Sequence, residues 1–308
     1  MLTDKNKFQK SPTVFIGMPV YNGERFIREA IESIINQSYP HWKLFISDDC
    51  STDKTPEFCK EFSVIDKRIV YCQQNKNTGI FVNQGFTLDR ADSEYFMWAA
   101  QDDIREKDYI TVCLEHLEKN KNLGFATTVM AAIDSYGRTL IEEKDLLKLS
   151  GKPGIIAVAR YVLQPEILGK CNLMYGFFRT RVARAVWNAY PMRKVWGPDY
   201  MFSLALISRY EIYVDKKVLF KKRLGGSSSP EALLGDRKDK ERRLEYKNPK
   251  NHMFQYGRFG SYFSGHMEAL QGTPYQALAA ILLMIRLPRA FLIYLKERNF
   301  KKLISKKI

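Results

Sequence analysis

Residues 95–103 read Tyr95-Phe96-Met97-Trp98-Ala99-Ala100-Gln101-Asp102-Asp103, an apolar run that ends in two adjacent carboxylates. A short apolar run of this kind is typical of a buried strand. Carboxylates that follow such a strand lie at the carboxyl edge of the sheet, where open α/β folds bind ligands. Two neighbouring carboxylates repel each other unless a cation or hydrogen-bond donors neutralise them. A hard divalent ion that bridges to a ligand's phosphates is one such cation, although an Asp-Asp pair also occurs at turns.

Two earlier segments have the same sequence pattern, an apolar strand that ends in polar or aromatic residues. The run Thr13–Met18 stops at the turn formers Pro19–Gly23, which contain Tyr21. The run Trp42–Ser47 stops at Asp48 and Asp49. Segments with helical spacing follow each strand, and this alternation predicts a parallel sheet with right-handed crossovers and helices on both faces.

Three strand ends are therefore expected to meet at one edge of the sheet, carrying Tyr21, Asp49 and the pair Asp102 and Asp103. An aromatic ring for stacking, a carboxylate that accepts from a base and a metal-binding pair together indicate a nucleotide site. The chain has no Gly-x-Gly-x-x-Gly and no Gly-Lys-Ser motif, so the sequence supports neither a dinucleotide-binding fold nor a P-loop.

The order of these motifs resembles the family-2 glycosyltransferases of GT-A fold. The matching stretches are PVYNG (19–23), AIESIINQSYP (30–40), SDDCSTDKT (47–55), NTG (77–79), NQG (83–85) and QDD (101–103). They lie within residues 12–120 without a break in their order. The resemblance implies an α/β fold with a mixed, mostly parallel twisted sheet flanked by helices, a Rossmann-like nucleotide-binding half and a C-terminal helical appendage.

The resemblance also implies roles for the residues of the donor site. Pro19 and Tyr21 would pack against the donor's base, with Tyr21 stacked on it, and Glu24 would reach the ribose. Asp49 would accept a hydrogen bond from the imino N–H of uracil or thymine. Asp102 would contact the ribose or the metal's water shell, and Asp103 would ligate Mn²⁺ or Mg²⁺ through the donor's diphosphate.

Plainer interpretations of the same residues remain open at this point. Tyr21 can be an ordinary core aromatic beside a proline turn. Asp48 and Asp49 can hold a strand-end turn through bonds to the backbone, and we expect this for Asp48 in particular. Asp53 is expected to cap or flank the following helix rather than to bind a ligand.

The family pattern is looser beyond residue 120, where the catalytic base is expected. The family usually has Glu-Asp ahead of an apolar helix, whereas this chain has Pro198-Asp199, so Asp199 is the expected base. A helix cap is the alternative role for Asp199, and both can hold at once. The segment from Leu219 to Ser229 resembles the family's loop that closes over the diphosphate, but it lacks that loop's histidine. Arg223, or Lys222, is expected to serve the phosphates there.

These features predict four parts of the chain. They are an N-terminal tail (1–11), a catalytic domain (12–224), a charged closing segment (225–251) and basic amphipathic helices (252–308). Within the catalytic domain, residues 12–120 would bind the nucleotide sugar and residues 121–224 would hold the acceptor and the base. Residues 143–170 contain no clear motif and are expected to form acceptor-side loops.

The net charge of +15 over 308 residues is distributed unevenly. The last 23 residues, Arg286–Ile308, contain eight Lys or Arg and one Glu. The apolar run Ala277–Ile285 just before them is too short to cross a bilayer. Apolar stretches interleaved with cations are typical of helices that lie in a membrane interface, and a core helix pair with a basic solvated end is the alternative. The charge-dense segment 230–250 is expected to be solvated and not to bind nucleic acid.

Five cysteines, an odd number without paired spacing, indicate reduced thiols. The first strand is not preceded by a signal peptide pattern. These observations predict a cytoplasmic protein, peripheral at the inner face of the membrane. The sequence predicts no oligomeric state.

The leading functional hypothesis is an inverting, metal-dependent glycosyltransferase of hexosyltransferase type. It would move a single sugar from a nucleotide sugar, most simply a UDP-sugar, to a hydroxyl of a glycan or lipid-linked acceptor in surface polysaccharide synthesis. The Gln-x-x-Arg-Trp signature of processive synthases is absent. The alternatives are a polyprenyl-phosphate sugar transferase, a nucleotidyltransferase, whose glycine-rich phosphate loop is missing, and an inactive membrane-binding scaffold. Retention of Asp49, Asp103 and Asp199 argues against the scaffold.

Overall fold

The apolar segments of the first hundred residues form four adjacent parallel strands. The computed structural model describes residues 13–164, 168–190, 197–224 and 259–286. In it, β1 (Val14–Val20) lies between β2 (Trp42–Asp48) and β4 (Tyr95–Trp98), and β3 (Ile69–Gln73) pairs with β2. Every residue of β1 and β4 is buried, as expected for parallel strands covered on both faces.

The other half of the sheet is mixed. Its strands are β5 (Ile104–Arg105), β6 (Leu123–Ile133), β7 (Thr139–Glu142), β8 (Phe177–Arg179) and β9 (Glu211–Arg223). The strand order is β3-β2-β1-β4-β8-β6-β9-β5, with β7 paired to β6. β8 is antiparallel to β4 and β6, whereas β9 runs parallel to β6. The turn-forming residues 134–138 (DSYGR) predict a hairpin turn, and they join β6 to β7.

Helices cover the sheet. They are α1 (Ile27–Ile35), α2 (Thr55–Ile65), α3 (Ile80–Asp89), α4 (Tyr109–Lys119), α5 (Ile155–Leu163), α6 (Leu168–Cys171), α7 (Thr180–Ala189), α8 (Pro198–Ile207), α9 (Phe259–Ala269) and α10 (276–286). Short 3-10 helices span Lys144–Leu149 and Asn172–Tyr175. α1 buries Ile27, Ala30, Ile31 and Ile34 at helical spacing, so its apolar face faces the core. The predicted α/β fold is confirmed.

Two local expectations differ from the structure. Residues 143–170, expected to be loops, are largely helical because α5 packs on α8, where the Tyr161 hydroxyl donates to the Tyr200 carbonyl at 2.7 Å. The mostly apolar and aromatic run Leu173–Arg179 predicts one strand, but it forms a 3-10 turn followed by β8. Gly176 separates these two parts, and a Cβ there would lie 2.1 Å from the Phe125 ring, so a larger residue would clash.

The C-terminal appendage is described only in part. Residues 259–286 form α9 and α10, and α9 packs on α8. The predicted tail (1–11), the closing segment (225–251) and residues 287–308 lie outside the described residues. Among the helices that the structure describes, none combines the length and the apolarity needed to cross a membrane. The five cysteines, all within the described ranges, form no disulfide.

Candidate active site

A cavity of about 500 Å³ opens at the carboxyl edge of β1, β2 and β4. Four of the residues predicted for the donor site contribute to its wall: Pro19, Tyr21, Asp49 and Asp102. The wall also contains residues from distant parts of the chain, among them Asn83, Gln101, Tyr175 and Lys222. The three strand ends therefore meet as the alternation of strands and helices predicted.

Tyr21 stands at the mouth of this cavity. Its side chain is 44% exposed, which excludes the alternative of an ordinary core aromatic. Its backbone N–H donates to Oε1 of Gln101 at 2.8 Å, and Nε2 of Gln101 donates back to the Tyr21 carbonyl at 3.0 Å. A Cβ at Gly23 would lie 2.8 Å from the Gln101 amide carbon. Gln101 thus holds the loop that contains Tyr21. A side chain at position 23 would clash with Gln101 in this arrangement, which explains the glycine there.

Asp49 ties the neighbouring loop to the end of β2. Its Oδ1 accepts from the Thr78 backbone N–H at 2.7 Å and from the Thr78 hydroxyl at 2.9 Å, and its Oδ2 accepts from the Gly79 N–H at 2.8 Å. Each carboxylate oxygen has about two lone pairs, so Oδ2 can accept one further bond from a ligand in the cavity.

Asp48 and Asp53 have the structural roles expected of them. Buried Asp48 accepts from the Ser51 N–H at 2.9 Å and from the Tyr71 hydroxyl at 2.6 Å. Asp53 accepts from the Thr55 N–H at 2.9 Å at the start of α2.

Glu24 does not line the cavity. It is exposed, and its Oε2 accepts from the Lys54 N–H at 3.0 Å. Its own N–H donates to Asp53 at 3.0 Å. These bonds join the loops after β1 and β2, so Glu24 lies apart from the other predicted donor-site residues.

The acidic pair is neutralised by a lysine from β9. The Asp103 side chain is only 1% exposed, and its Oδ2 lies 3.3 Å from Nζ of Lys222. Its Oδ1 accepts from the Arg223 backbone N–H at 3.0 Å. Burial by itself would lower the pKa of Lys222, but Asp103 and then Asp102 outweigh it and raise that pKa above its usual value. The ammonium therefore stays charged at the inner end of the cavity.

Arg223 differs from the prediction that it serves the phosphates. Its guanidinium is buried and donates to the Asp102 carbonyl at 3.0 Å, the Asp134 carbonyl at 3.0 Å and the Glu29 carboxylate at 2.5 Å. Successive side chains of a strand point to opposite faces, so Arg223 joins the core contacts while Lys222 lines the cavity. Lys222 is the residue placed to meet a phosphate.

Asp199 is the second residue of α8, and its Oδ1 accepts from the Tyr200 N–H at 3.0 Å. Burial raises the pKa of the Asp199 carboxyl, against the backbone N–H groups of Tyr200 and Asp199, the Cys171 thiol and Lys222, which lower it. A raised pKa makes this carboxylate a stronger proton acceptor than an ordinary aspartate. Asp199 is not itself part of the cavity wall, but it interacts electrostatically with Lys222 and Tyr175, which are.

Tyr175 is positioned from behind by a buried arginine. Nη2 of Arg105 donates to the Tyr175 carbonyl at 2.8 Å, and the guanidinium carbon lies 3.5 Å from the centre of the Phe220 ring. On its cavity side the Tyr175 ring faces the Lys222 ammonium, 5.1 Å from the ring centre. Tyr175 is therefore held at its backbone by Arg105 in the core, while its ring lies next to the Lys222 ammonium in the cavity.

Several of these residues were not assigned from the sequence. The position of Gln101, directly before the acidic pair, could have identified it. A polar side chain at a strand end is well placed to bond to the adjacent loop. Cys171 and Tyr175 carried no signal, since they reach the site only through the packing of α6 and the following 3-10 helix on α8. Lys222 was only an alternative to Arg223.

Comparison with protein-family models identifies one match, to the family described as "Glycosyl transferase family 2", over residues 15–168, half of the chain. Among curated proteins, the chain is 35% identical over 106 residues to the "Putative teichuronic acid biosynthesis glycosyltransferase TuaG" of Bacillus subtilis, covering 34% of this chain and 42% of TuaG. It is 31% identical over 212 residues to the "dTDP-rhamnosyl transferase RfbG" of Shigella flexneri, covering 65% of this chain and 68% of RfbG. In three of the curated relatives, the match spans about half of the relative's length or less.

Two solved structures share the fold. Residues 1–349 of TarS of S. aureus in complex with UDP-GlcNAc superpose with a TM-score of 0.59 and 16% identity, covering 94% of this chain and 92% of that one. The mannosyltransferase PcManGT of Pyrobaculum calidifontis in complex with GDP-Man and Mn²⁺ gives a TM-score of 0.52 and 15% identity, covering 94% and 80%. At these identities the likeness concerns the fold alone.

Proposed function

We propose that this chain, which belongs to glycosyl transferase family 2, transfers a single sugar from a pyrimidine-nucleotide sugar to an acceptor hydroxyl with inversion at the anomeric carbon. The observation that carries the proposal is the single cavity wall that joins Tyr21, Asp49, Asp102 and Lys222, with the partly buried carboxylate of Asp199 next to it. The wall provides an aromatic ring and a hydrogen-bond-accepting carboxylate for a base, and a cation for a diphosphate.

The donor's base is assigned to the side of Tyr21 and Asp49. The exposed Tyr21 ring can stack on a base, and Oδ2 of Asp49 can accept one further hydrogen bond. Uracil and thymine have an imino N–H donor for that oxygen. Among the similar proteins, RfbG is named a dTDP-rhamnosyl transferase and TarS is in complex with UDP-GlcNAc, both with pyrimidine nucleotides, whereas PcManGT is in complex with GDP-Man. We favour UDP for this chain.

The chemical step needs one base and a stabilised leaving group. Asp199 removes the proton from the acceptor hydroxyl while that oxygen bonds to the anomeric carbon. The bond from the anomeric carbon to the donor's phosphate oxygen breaks, and the electron pair leaves with the nucleoside diphosphate. Lys222 lines the cavity, and its ammonium would stabilise the charge that grows on that diphosphate.

The metal proposed for this site is Mn²⁺ or Mg²⁺. Within the described residues, no group of three or more His, Cys, Asp or Glu could hold an ion. Asp102 fits such a cation because it lines the cavity, and Mg²⁺ is commonly bound by one or two carboxylates together with substrate phosphates. Asp102, which lines the cavity, and Asp103 would hold it, and it would neutralise the charge that grows on the diphosphate.

The setting is proposed to be the synthesis of a surface polysaccharide, with a glycan or a lipid-linked sugar as the acceptor. It is supported by the similarity to TuaG, which is named for teichuronic acid biosynthesis. A cytoplasmic location, peripheral at the inner face of the membrane, belongs to the same proposal.

The first test is calorimetric titration of the protein with UDP, GDP and dTDP, each with and without Mn²⁺. We expect UDP to bind more tightly than GDP, and Mn²⁺ to strengthen its binding. Asp103→Ala should remove the effect of Mn²⁺, and Asp102→Asn serves as a second variant because Asp103 is buried against β9. Failure of the wild type to bind any of the three nucleotides would contradict the proposal.

Substitution of Tyr21 tests the stacking role. Tyr21→Ala should weaken UDP binding about tenfold or more, because the stacking of a base on an aromatic ring is worth about 1–3 kcal/mol. Tyr21→Phe keeps the ring and should bind UDP like the wild type. The side chain is 44% exposed and its backbone bonds to Gln101 do not involve the ring, so both variants should fold. Equal UDP affinity for Tyr21→Ala and Tyr21→Phe would disprove the role.

A further inference from the structure

The outward face of α10 is apolar. Ile281, Met284 and Ile285 point outward and are each more than half exposed, whereas Ala279 and Leu283 on the opposite face are buried in the core. Residues 275–285 contain no charged side chain. The outer face of a helix packed on a globular protein is normally polar, so this face lacks the composition expected for contact with water.

α5 extends this face. Its inner residues Val158, Tyr161 and Val162 are buried, and its outer residues Ile155, Ile156 and Leu163 are 48% to 72% exposed. Nη1 of Arg286, at the end of α10, donates to the Val162 carbonyl at 3.1 Å. The C-terminal ends of the two helices therefore lie close together. We call their six exposed aliphatic residues the apolar face: Ile155, Ile156, Leu163, Ile281, Met284 and Ile285.

The charges around the apolar face are mostly basic, and Asp145 beside α5 is paired with Lys148. Lys152 and Arg160 are exposed on and beside α5. At the other end, the sequence continues from Arg286 to Ile308 with eight Lys or Arg and one Glu. Aliphatic side chains bordered by cations match a lipid surface with anionic head groups, where both the apolar contact and the charge are favourable. A second copy of this chain is a poorer match, because each copy has a net charge of +15 and the copies repel.

The apolar face lies on the far side of α5 from the proposed base. The Tyr161 hydroxyl, on the inner side of α5, donates to the carbonyl of Tyr200 at 2.7 Å. Tyr200 follows Asp199 directly in α8. One helix therefore separates the candidate base from the apolar face.

We propose that the apolar face rests on an anionic lipid bilayer and so holds the acceptor side of the cavity next to the membrane. A lipid-linked acceptor follows from this arrangement, and that part rests on the transferase function proposed above. The contact with lipid does not depend on that function.

The test is cosedimentation of the full chain with vesicles of phosphatidylglycerol and phosphatidylcholine, compared with phosphatidylcholine alone. The wild type should bind the anionic vesicles, and more weakly as salt is raised, because salt screens the attraction. Ile156→Glu with Leu163→Glu, and separately Ile281→Glu with Ile285→Glu, should each weaken partitioning at least about tenfold, since each loses the burial of aliphatic side chains.

The matched control is Val64→Glu with Ile65→Glu on α2. These residues are as exposed as those of the apolar face, at 71% and 68%, but α2 packs on β3 at the far end of the sheet. The control should bind vesicles like the wild type. All the substituted positions are exposed, so the variants should fold, and their melting temperatures check this.

Three outcomes would overturn the proposal. They are no binding of the wild type to anionic vesicles, unchanged binding of both face variants, and equal weakening of the control. Loss of a dimer in the face variants without any vesicle binding would assign the face to a second copy instead. UDP binding, measured on the same samples, reports separately on the transferase proposal.

Discussion

Asp199→Asn is expected to lower kcat by about 10²- to 10⁴-fold, the usual contribution of a general base, while UDP binds as in the wild type. The amide has nearly the shape of the carboxylate and can still accept from the Tyr200 N–H, so α8 should begin in the same way. What it cannot do is remove the proton of the acceptor hydroxyl. Steady-state rates with a UDP-sugar donor and calorimetry with UDP measure the two effects separately.

The pH dependence tests the same role. The base acts when it is ionised, so kcat/KM should fall as pH falls through the pKa of Asp199. Because burial raises that pKa above its usual value of 3.8, this fall should occur at a higher pH than for an ordinary aspartate.

Cys171→Ala is the matched variant, and Cys171→Ser is its control. The Cys171 thiol bonds to the Asp199 carboxylate and lowers the pKa of Asp199. Removal of the thiol should therefore shift the fall in kcat/KM further toward neutral pH. The serine should keep the fall near the wild-type position. Wild-type kcat in Asp199→Asn would rule out the base role and favour a phosphate nucleophile, as in a polyprenyl-phosphate sugar transferase.

Lys222→Gln is expected to destabilise the fold by about 2 kcal/mol and to weaken UDP binding at least tenfold. The ammonium lies 3.3 Å from Asp103 and its pKa is raised by Asp103 and Asp102, so its loss leaves two adjacent carboxylates without their cation. The destabilisation should be below that of a fully buried pair, because part of the Lys222 side chain reaches solvent. Thermal unfolding and calorimetry with UDP give the two values.

Thermal unfolding in the presence of Mn²⁺ gives a second test of the role of Lys222. Without the ammonium, the acidic pair should attract a divalent ion more strongly, so Mn²⁺ should raise the melting temperature of Lys222→Gln more than that of the wild type. Lys221→Gln is the matched control, since Lys221 is the preceding residue of β9 and pairs with Glu106 nearer the surface. Equal stability and UDP affinity in the two variants would show that Lys222 has no special role.

The donor half was largely predictable because its residues follow directly after strands. The end of a parallel strand has a fixed place in the sheet, so the apolar runs before Tyr21, Asp49 and Asp102 were enough to bring these residues to one edge. The hydrogen bonds of Gln101 and of the Asp49 carboxylate were not predictable, because they depend on loop conformations that no periodic pattern describes.

The charged end of the cavity shows where sequence reasoning was insufficient. Lys222 and Arg223 are adjacent cations on one strand, and nothing in their order tells which faces the cavity. The register of β9 against β6 and β5 decides it, and a slip of one residue would exchange the two side chains.

By itself, the sequence determined the α/β fold, the edge of the sheet that carries the cavity, and the position of Asp199 at the start of a helix. These follow from local rules, since apolar periodicity selects strands and helices, and strand ends select the binding edge. Only the tertiary structure decided that Lys222 neutralises the acidic pair, that Cys171 and Tyr175 join the site, and that α5 and α10, each with exposed aliphatic residues, meet at their ends. Those contacts join residues far apart in the chain, and their energy arises from burial and charge that exist only after the elements have packed.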